Sequence, residues 1–166
     1  MARSRLGLAR LAAAGVPAAL LAAALGSQHI GGLAPCEMCY WQRWAHWAAL
    51  AFALVAIAAA GRLPDRGRSF VWLAALAILA SGAIGAYHAG VEAGIFAGVT
   101  QCATVAGGGA SGADLLAEIM AAPLVRCDEV QWSLLGISMA GWNAILSILA
   151  ALVILWLSLK PSPIRG

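Results

Sequence analysis

The chain has 166 residues, 63% of them hydrophobic and 10% charged, with a mean hydropathy of +0.87. Soluble domains carry about 25% charged residues, so a water-solvated globular enzyme is excluded. The slight net charge of +3 does not suggest a nucleic-acid binder. No formal charge lies between Arg10 and Glu37, Arg43 and Arg62, Arg68 and Glu92, or Glu129 and Lys160. A bilayer core of roughly 30 Å takes about 20 apolar residues in a helix, and each gap holds one. Backbone groups in lipid must bond within their own segment, which leaves helix as the conformer. The expected fold is an all-α integral membrane protein: one membrane domain of four transmembrane helices, at about 11–29, 43–61, 70–88 and 133–158.

The first span follows Arg3, Arg5 and Arg10, and its Ala24-Leu25-Gly26 has the look of a signal-peptide cleavage site. The apolar run is long for such a peptide, so it is expected to stay as a span, with Pro17 kinking it. Either way the chain emerges on the far side near His29. Residues 30–42 then run through Gly31, Gly32 and Pro35 into Cys36-Glu37-Met38-Cys39 at the head of the second span. A Cys-x-x-Cys at a helix start suits thiol exchange. The sulfurs close a small ring, and the unpaired N–H groups of the helix end favour a thiolate. Arg43, four residues beyond Cys39, stands on the same face. It would favour the Cys39 thiolate and could donate to a quinone oxygen, or it could anchor the span among the headgroups. Trp41, Trp44 and Trp47 read chiefly as interfacial belt residues. His46 reads as a polar helix contact rather than a metal ligand.

The 61–69 link holds Arg62, Arg66 and Arg68. In the third span Ser81, Gly82 and Gly85 allow close helix approach. Residues 89–132 are too long for a simple turn. They hold Cys102, a Gly/Ser tract over 107–112, a short amphipathic helix from Asp114 to Pro123 expected at the membrane surface, and Cys127. A Cys102–Cys127 disulfide would close a glycine-rich loop, either as an exchangeable pair or as a static staple. Zinc is not expected, because a Cys₄ site usually pairs two short knuckles and only one exists here. Asn143 in the fourth span is expected to bond across the bundle. Arginine and lysine cluster before the first span, in the 61–69 link and after the fourth span. Both termini are therefore expected in the cytoplasm, with 30–42 and 89–132 outside. All four cysteines fall in those outer segments, as expected where disulfides persist.

These residues resemble a known family. Gln28-His29 and Pro35-Cys36-Glu37-Met38-Cys39-Tyr40-Trp41-Gln42-Arg43 resemble the first periplasmic segment of DsbB, the quinone-dependent disulfide bond formation proteins of the bacterial inner membrane. Tyr87-His88-Ala89-Gly90-Val91-Glu92 resembles the family's second signature. Cys127, Gln131-Trp132 and the run from Leu135 to Asn143 resemble its third. The glycine tract after Cys102 departs from the family and leaves that loop's geometry open. The resemblance implies that reduced DsbA, a periplasmic thioredoxin-fold protein, attacks a Cys102–Cys127 disulfide at Cys102. It implies that Cys127 exchanges with Cys36, and that Cys39, beside Arg43, passes electrons to ubiquinone or menaquinone. His88 and Met139 are implied near the quinone ring. Two rivals remain: a tetraspan scaffold with static outer disulfides, and a relative with another partner or run as a reductase like the vitamin K epoxide reductases. In intact cells, an impermeant thiol reagent is expected to reach these cysteines only from the outer face. Modification from the cytosolic face would contradict the topology.

Overall fold

The computed structural model describes residues 5–98 and 125–159. Among these residues four helices form, α1 (Arg5–His29), α2 (Glu37–Ala58), α3 (Arg68–Glu92) and α4 (Met139–Leu159). They pack in a ring in which α2 and α4 each touch both α1 and α3, while α1 and α3 meet little across the middle. By length and composition α1, α3 and α4 can cross a membrane. α2 is not among them because Gln42, Arg43 and His46 in its first half lower its hydropathy. All three side chains are buried, so their polarity is turned into the bundle and away from lipid.

Size sorts the apolar residues. Ala9, Ala13, Ala49, Ala53, Ala74 and Ala151 are wholly buried, whereas Leu149, Leu152 and Trp156 on α4 are more than half exposed. This inverts a water-soluble core and suits lipid, where close packing of small residues, rather than burial of large ones, drives helix association. The α3–α4 seam shows it best. A Cβ on Gly82 would stand 2.9 Å from Ile148 and 3.1 Å from Ser147, and one on Gly85 would stand 3.0 Å from the Ala140 carbonyl and the Asn143 amide.

The ends are tied by local polar bonds. The Asp65 carboxylate accepts the N–H groups of Gly67 at 2.9 Å and Ser69 at 2.7 Å, capping the start of α3, and these bonds with the Ser69 hydroxyl hold its carboxyl below the usual range. The Arg10 guanidinium donates to the Arg66 carbonyl on the same link. α3 ends with Gly94 at φ +70° and the Ile95 N–H bonded to the Gly90 carbonyl at 2.8 Å, a left-handed stop of the kind glycine permits.

The last helix begins at Met139, not at 133. Ser133–Leu134 (β1) and Ile137–Ser138 (β2) pair antiparallel instead, with Ser133 opposite Ser138. Leu135 and Gly136 between them have φ of 55° and 78°, the signature of a tight two-residue hairpin turn. The sequence pattern missed it because this stretch is uncharged and apolar, like the span it precedes. The expected surface helix at 114–123, the glycine tract and Cys102 lie outside the described residues. Gly85→Val is expected to cost about 1–3 kcal/mol by overpacking the seam, lowering the thermal midpoint of the detergent-solubilised protein. Gly15→Ala, where an added Cβ meets nothing within 4 Å, should not.

Candidate functional site: thiols, a buried cation and a cavity

Cys36 is the residue that starts α2. Its backbone is extended (φ −78°, ψ 173°) and its side chain takes the N-cap position. The Sγ accepts the Cys39 N–H at 3.4 Å, a role more often filled by a hydroxyl or carboxylate. One turn on, Cys39 Sγ lies 3.0 Å from Cys36 Sγ. Both residues precede the expected 43–61 span. The Cys36 thiol donates to the Cys39 sulfur, and Arg43 adds its charge, so against burial and the Glu92 carboxylate the Cys39 pKa is lowered to about 7. Cys36 moves the other way: as the donor of that bond and a buried group it holds its proton, and its pKa is raised.

Residues 125–132 bring a third sulfur to the pair. Cys127 is buried among Cys36, Met38, Val91 and Val125, and its side chain hydrogen-bonds Cys36. Among the described residues no two cysteines are joined by a disulfide. Cys36, Cys127 and His88 place their ligand atoms within 4.8 Å of one another, with Cys36 Sγ 3.6 Å from His88 Nε2. That spacing would suit a soft metal ion, but the hydrogen bonds behind His88 argue for a different use.

Those bonds form a chain across three helices. The Gln42 amide nitrogen donates to the Met38 carbonyl at 3.2 Å and meets His88 Nδ1 at 3.0 Å. The Asn143 amide nitrogen donates to Gln42 Oε1 at 2.7 Å and to the Ser81 carbonyl at 3.2 Å. The Asn143 oxygen lies 2.9 Å from His46 Nε2 and accepts the Ser147 hydroxyl at 3.1 Å. The two backbone carbonyls fix which end of each amide is nitrogen. His88 Nδ1 is therefore an acceptor, and Nε2 carries the hydrogen. Toward the thiols His88 presents an N–H, whereas a metal would need a lone pair there. This N–H faces Cys36 Sγ, the Cys127 backbone and Glu92 Oε1, the last at 3.8 Å.

Beside the thiols opens a cavity of about 730 Å³. Leu20, Ala24 and Ser27 of α1, Trp132 and Leu134 of the hairpin arm, and Met139, Trp142 and Leu146 of α4 wall it. Cys39, Arg43, His46, His88, Glu92 and Asn143 enter from the polar side. Arg43 is 9% exposed and does not reach for headgroups. Its guanidinium donates to the Gln28 side chain and, at 3.0 Å, to the Ala24 carbonyl, and it sits over the Tyr40 ring at 5.7 Å. His88 is buried, and Met139 Sδ receives the Ser27 hydroxyl at 3.9 Å. Trp44 and Trp47 are exposed and face outward as belt residues, while Trp41 packs on the Cys36–Cys127 cluster.

Of the residues singled out from sequence, Cys36, Cys39, Arg43, His88 and Met139 all line this one cavity, and Cys127 lies beside it. Gln28, Gln42 and Glu92 also serve the site and had been given no role. Gln42 had a signal only in its place one residue before the expected 43–61 span and one turn from His46, on the same helix face. Gln28 gave no signal of its own because its bond to Arg43 joins two helices, and Glu92 gave only its spacing of one turn from His88 on α3. In the reduced protein, alkylation of Cys39 is expected to titrate near pH 7, well below an ordinary thiol. Falling pH protonates the thiolate and slows the reaction. Arg43→Ala removes a stabilising charge, so its alkylation midpoint should move upward.

Comparison with known proteins agrees with this geometry. The family model described as "Disulfide bond formation protein DsbB" matches residues 5–157. "Disulfide bond formation protein B" of Azoarcus sp. (strain BH72) is 32% identical over 154 residues, covering 84% of each chain. The protein of the same name from Paracidovorax citrulli (strain AAC00-1) is 32% identical over 163 residues, covering 89% of this chain and 85% of its own. That of Acidovorax sp. (strain JS42) is 31% identical over 156 residues, covering 86% and 81%. No solved structure matches significantly. With a match running from the first helix to the last, the chain belongs to the DsbB family of disulfide bond formation proteins.

Proposed function

We propose that the protein is a disulfide-generating oxidoreductase of the bacterial inner membrane that re-oxidises a DsbA-like periplasmic dithiol protein and passes the electrons to a membrane quinone. In this reading all four helices span the bilayer, with both termini cytoplasmic and the cysteine-bearing segments periplasmic. One observation carries it: the Cys36–Cys39 pair stands at the wall of an apolar cavity into which a buried arginine projects, with Cys127 against Cys36.

The cavity fits a quinone. Its walls are mostly aliphatic and aromatic, it reaches between α1 and α4, and Arg43 and His88 bring N–H donors to its polar side. A bound ubiquinone or menaquinone would supply acceptance of two electrons and two protons. Cys36, Cys39 and Cys127 do the thiol chemistry with Cys102. A thiolate of the reduced partner attacks Cys102 of a Cys102–Cys127 disulfide and releases Cys127 as a thiolate. Cys127 attacks Cys36 of the Cys36–Cys39 disulfide and releases Cys39, whose thiolate is favoured by the Cys36 N-cap geometry and by Arg43. The partner's second thiol resolves the mixed disulfide and leaves oxidised; the freed Cys102 takes Cys127 back and leaves Cys36 and Cys39 reduced. Arg43 and the His88 N–H hold developing negative charge in a site with little water.

A static scaffold with stapled loops makes opposite predictions: its disulfides resist mild reduction and no quinone copurifies. Mixing the purified protein with reduced DsbA-like protein and a soluble quinone, while following quinone absorbance, separates the two. Cys39→Ser should abolish quinone reduction, and Arg43→Ala should slow it about 10²-fold, the usual cost of losing one charge-stabilising donor. Normal turnover in both variants would end the proposal.

A further inference from the structure

Glu92 sits at the end of α3 with side-chain exposure of 9%. Its Oε1 is 3.8 Å from the His88 N–H, the Ser138 side chain hydrogen-bonds it, and its Oε2 is buried with no hydrogen-bond partner among the described residues. A carboxylate in such a place lacks the donors that would hold it ionised, whereas a carboxylic acid needs fewer. It also lies close enough to oppose the Cys39 thiolate by charge. Among the described residues, the titratable and charged groups around it come from three places. α3 offers His88; the start of α2 offers Cys36, Cys39 and Arg43; the 125–132 arm offers Cys127, Glu129 and Arg126, which is paired with Asp128 at 2.5 Å and Glu129 at 3.6 Å. α1 brings no charged side chain to the cavity.

We propose that Glu92 is the proton store of the thiol site, taking up a proton when Cys39 becomes a thiolate and giving it up when the thiol pair is oxidised. The geometry favours one negative charge here, not two, because two anions near a single buried cation repel in a medium of low dielectric. Thiol and carboxylate on one side, thiolate and carboxylic acid on the other, carry the same net charge. Converting one to the other only moves a proton between neighbours. The His88 N–H makes the exchange reciprocal. While Glu92 is ionised it competes for that hydrogen, and once Glu92 is protonated the hydrogen is left to Cys36 and the Cys127 carbonyl. The balance closes. When Cys36 and Cys39 join, two electrons leave the sulfurs for the quinone-class acceptor of the reaction proposed above. The two protons that accompany them are the one held by Glu92 and the one held by the Cys36 thiol, and both entered the site from the two thiols of the partner protein as those were oxidised.

The proposal rests on the electron-transfer reading, but half of its test does not. The reduced full-length protein and its Glu92→Gln variant are alkylated across a pH series, with Cys39 modification read by mass spectrometry. Quinone reduction after a single mixing with reduced dithiol protein is timed in the same preparations. Removing the carboxylate should lower the Cys39 midpoint by about one pH unit, making Cys39 about tenfold more reactive on the acid side. The same variant should reduce quinone about 10²-fold more slowly, as for loss of a proton-transfer group. Glu92→Asp, which keeps the carboxyl, should move both readouts back toward the parent protein. A variant that merely disturbs packing would not make the thiol more reactive while slowing turnover. An unmoved Cys39 midpoint, or a lowered midpoint with unchanged quinone reduction, overturns the proposal alone. A parent protein that reduces no quinone overturns the electron-transfer reading and proton delivery with it, whatever the alkylation shows.

Discussion

The N-cap of α2 is the point on which the site turns. A helix start leaves N–H groups without partners, and here a sulfur meets one of them. Because the capping residue is Cys36, the next cysteine of the Cys-x-x-Cys falls in the first helical turn, close enough for the two sulfurs to touch. Arg43 then falls one turn further along, directed at the cavity and not at the lipid surface. A helix starting later, past Cys39, would take the two sulfurs out of this contact. The local geometry of one helix end thus fixes sulfur, sulfur and cation together.

Polarity inside the bundle is the second constraint. Gln42, His46, Ser81, His88 and Asn143 are costly in a membrane unless every donor finds an acceptor, and nearly all do so with one another. The network holds α2, α3 and α4 in register and settles which nitrogen of His88 carries a hydrogen. Below it the buried contacts are mostly between alanines, joined by Leu6, Val71, Ile78 and Ile154, which pack closely but specify little. The polar layer supplies the specificity that the small-residue core lacks.

The architecture was largely legible in the chain. Charge-free gaps located the helices, and the pairing of Cys-x-x-Cys with Arg43 pointed to the site before any coordinates. Three things were not. The hairpin at 133–138 was hidden because apolar residues before a span look like the span itself. Gln28 could not be paired with Arg43 because their bond joins two helices across a turn. Glu92 read as one more acidic residue of an outer segment, since apart from His88 one turn away the groups that give it meaning come from α2 and from residues far along the chain. Periodicity and composition report which face is buried, not which atoms meet there.

The hairpin stitches the outer arm to α4. The Trp142 indole donates to the Leu134 carbonyl at 3.1 Å, and the Met139 N–H bonds Trp132 at 3.3 Å. Cys127 therefore hangs from a fixed post by a leash of five residues, which fully drawn out reaches at most about 18 Å. A sulfur tethered so briefly cannot wander far, and in the exchange proposed above its return to Cys36 is an event within one molecule, independent of how dilute the protein is in its membrane.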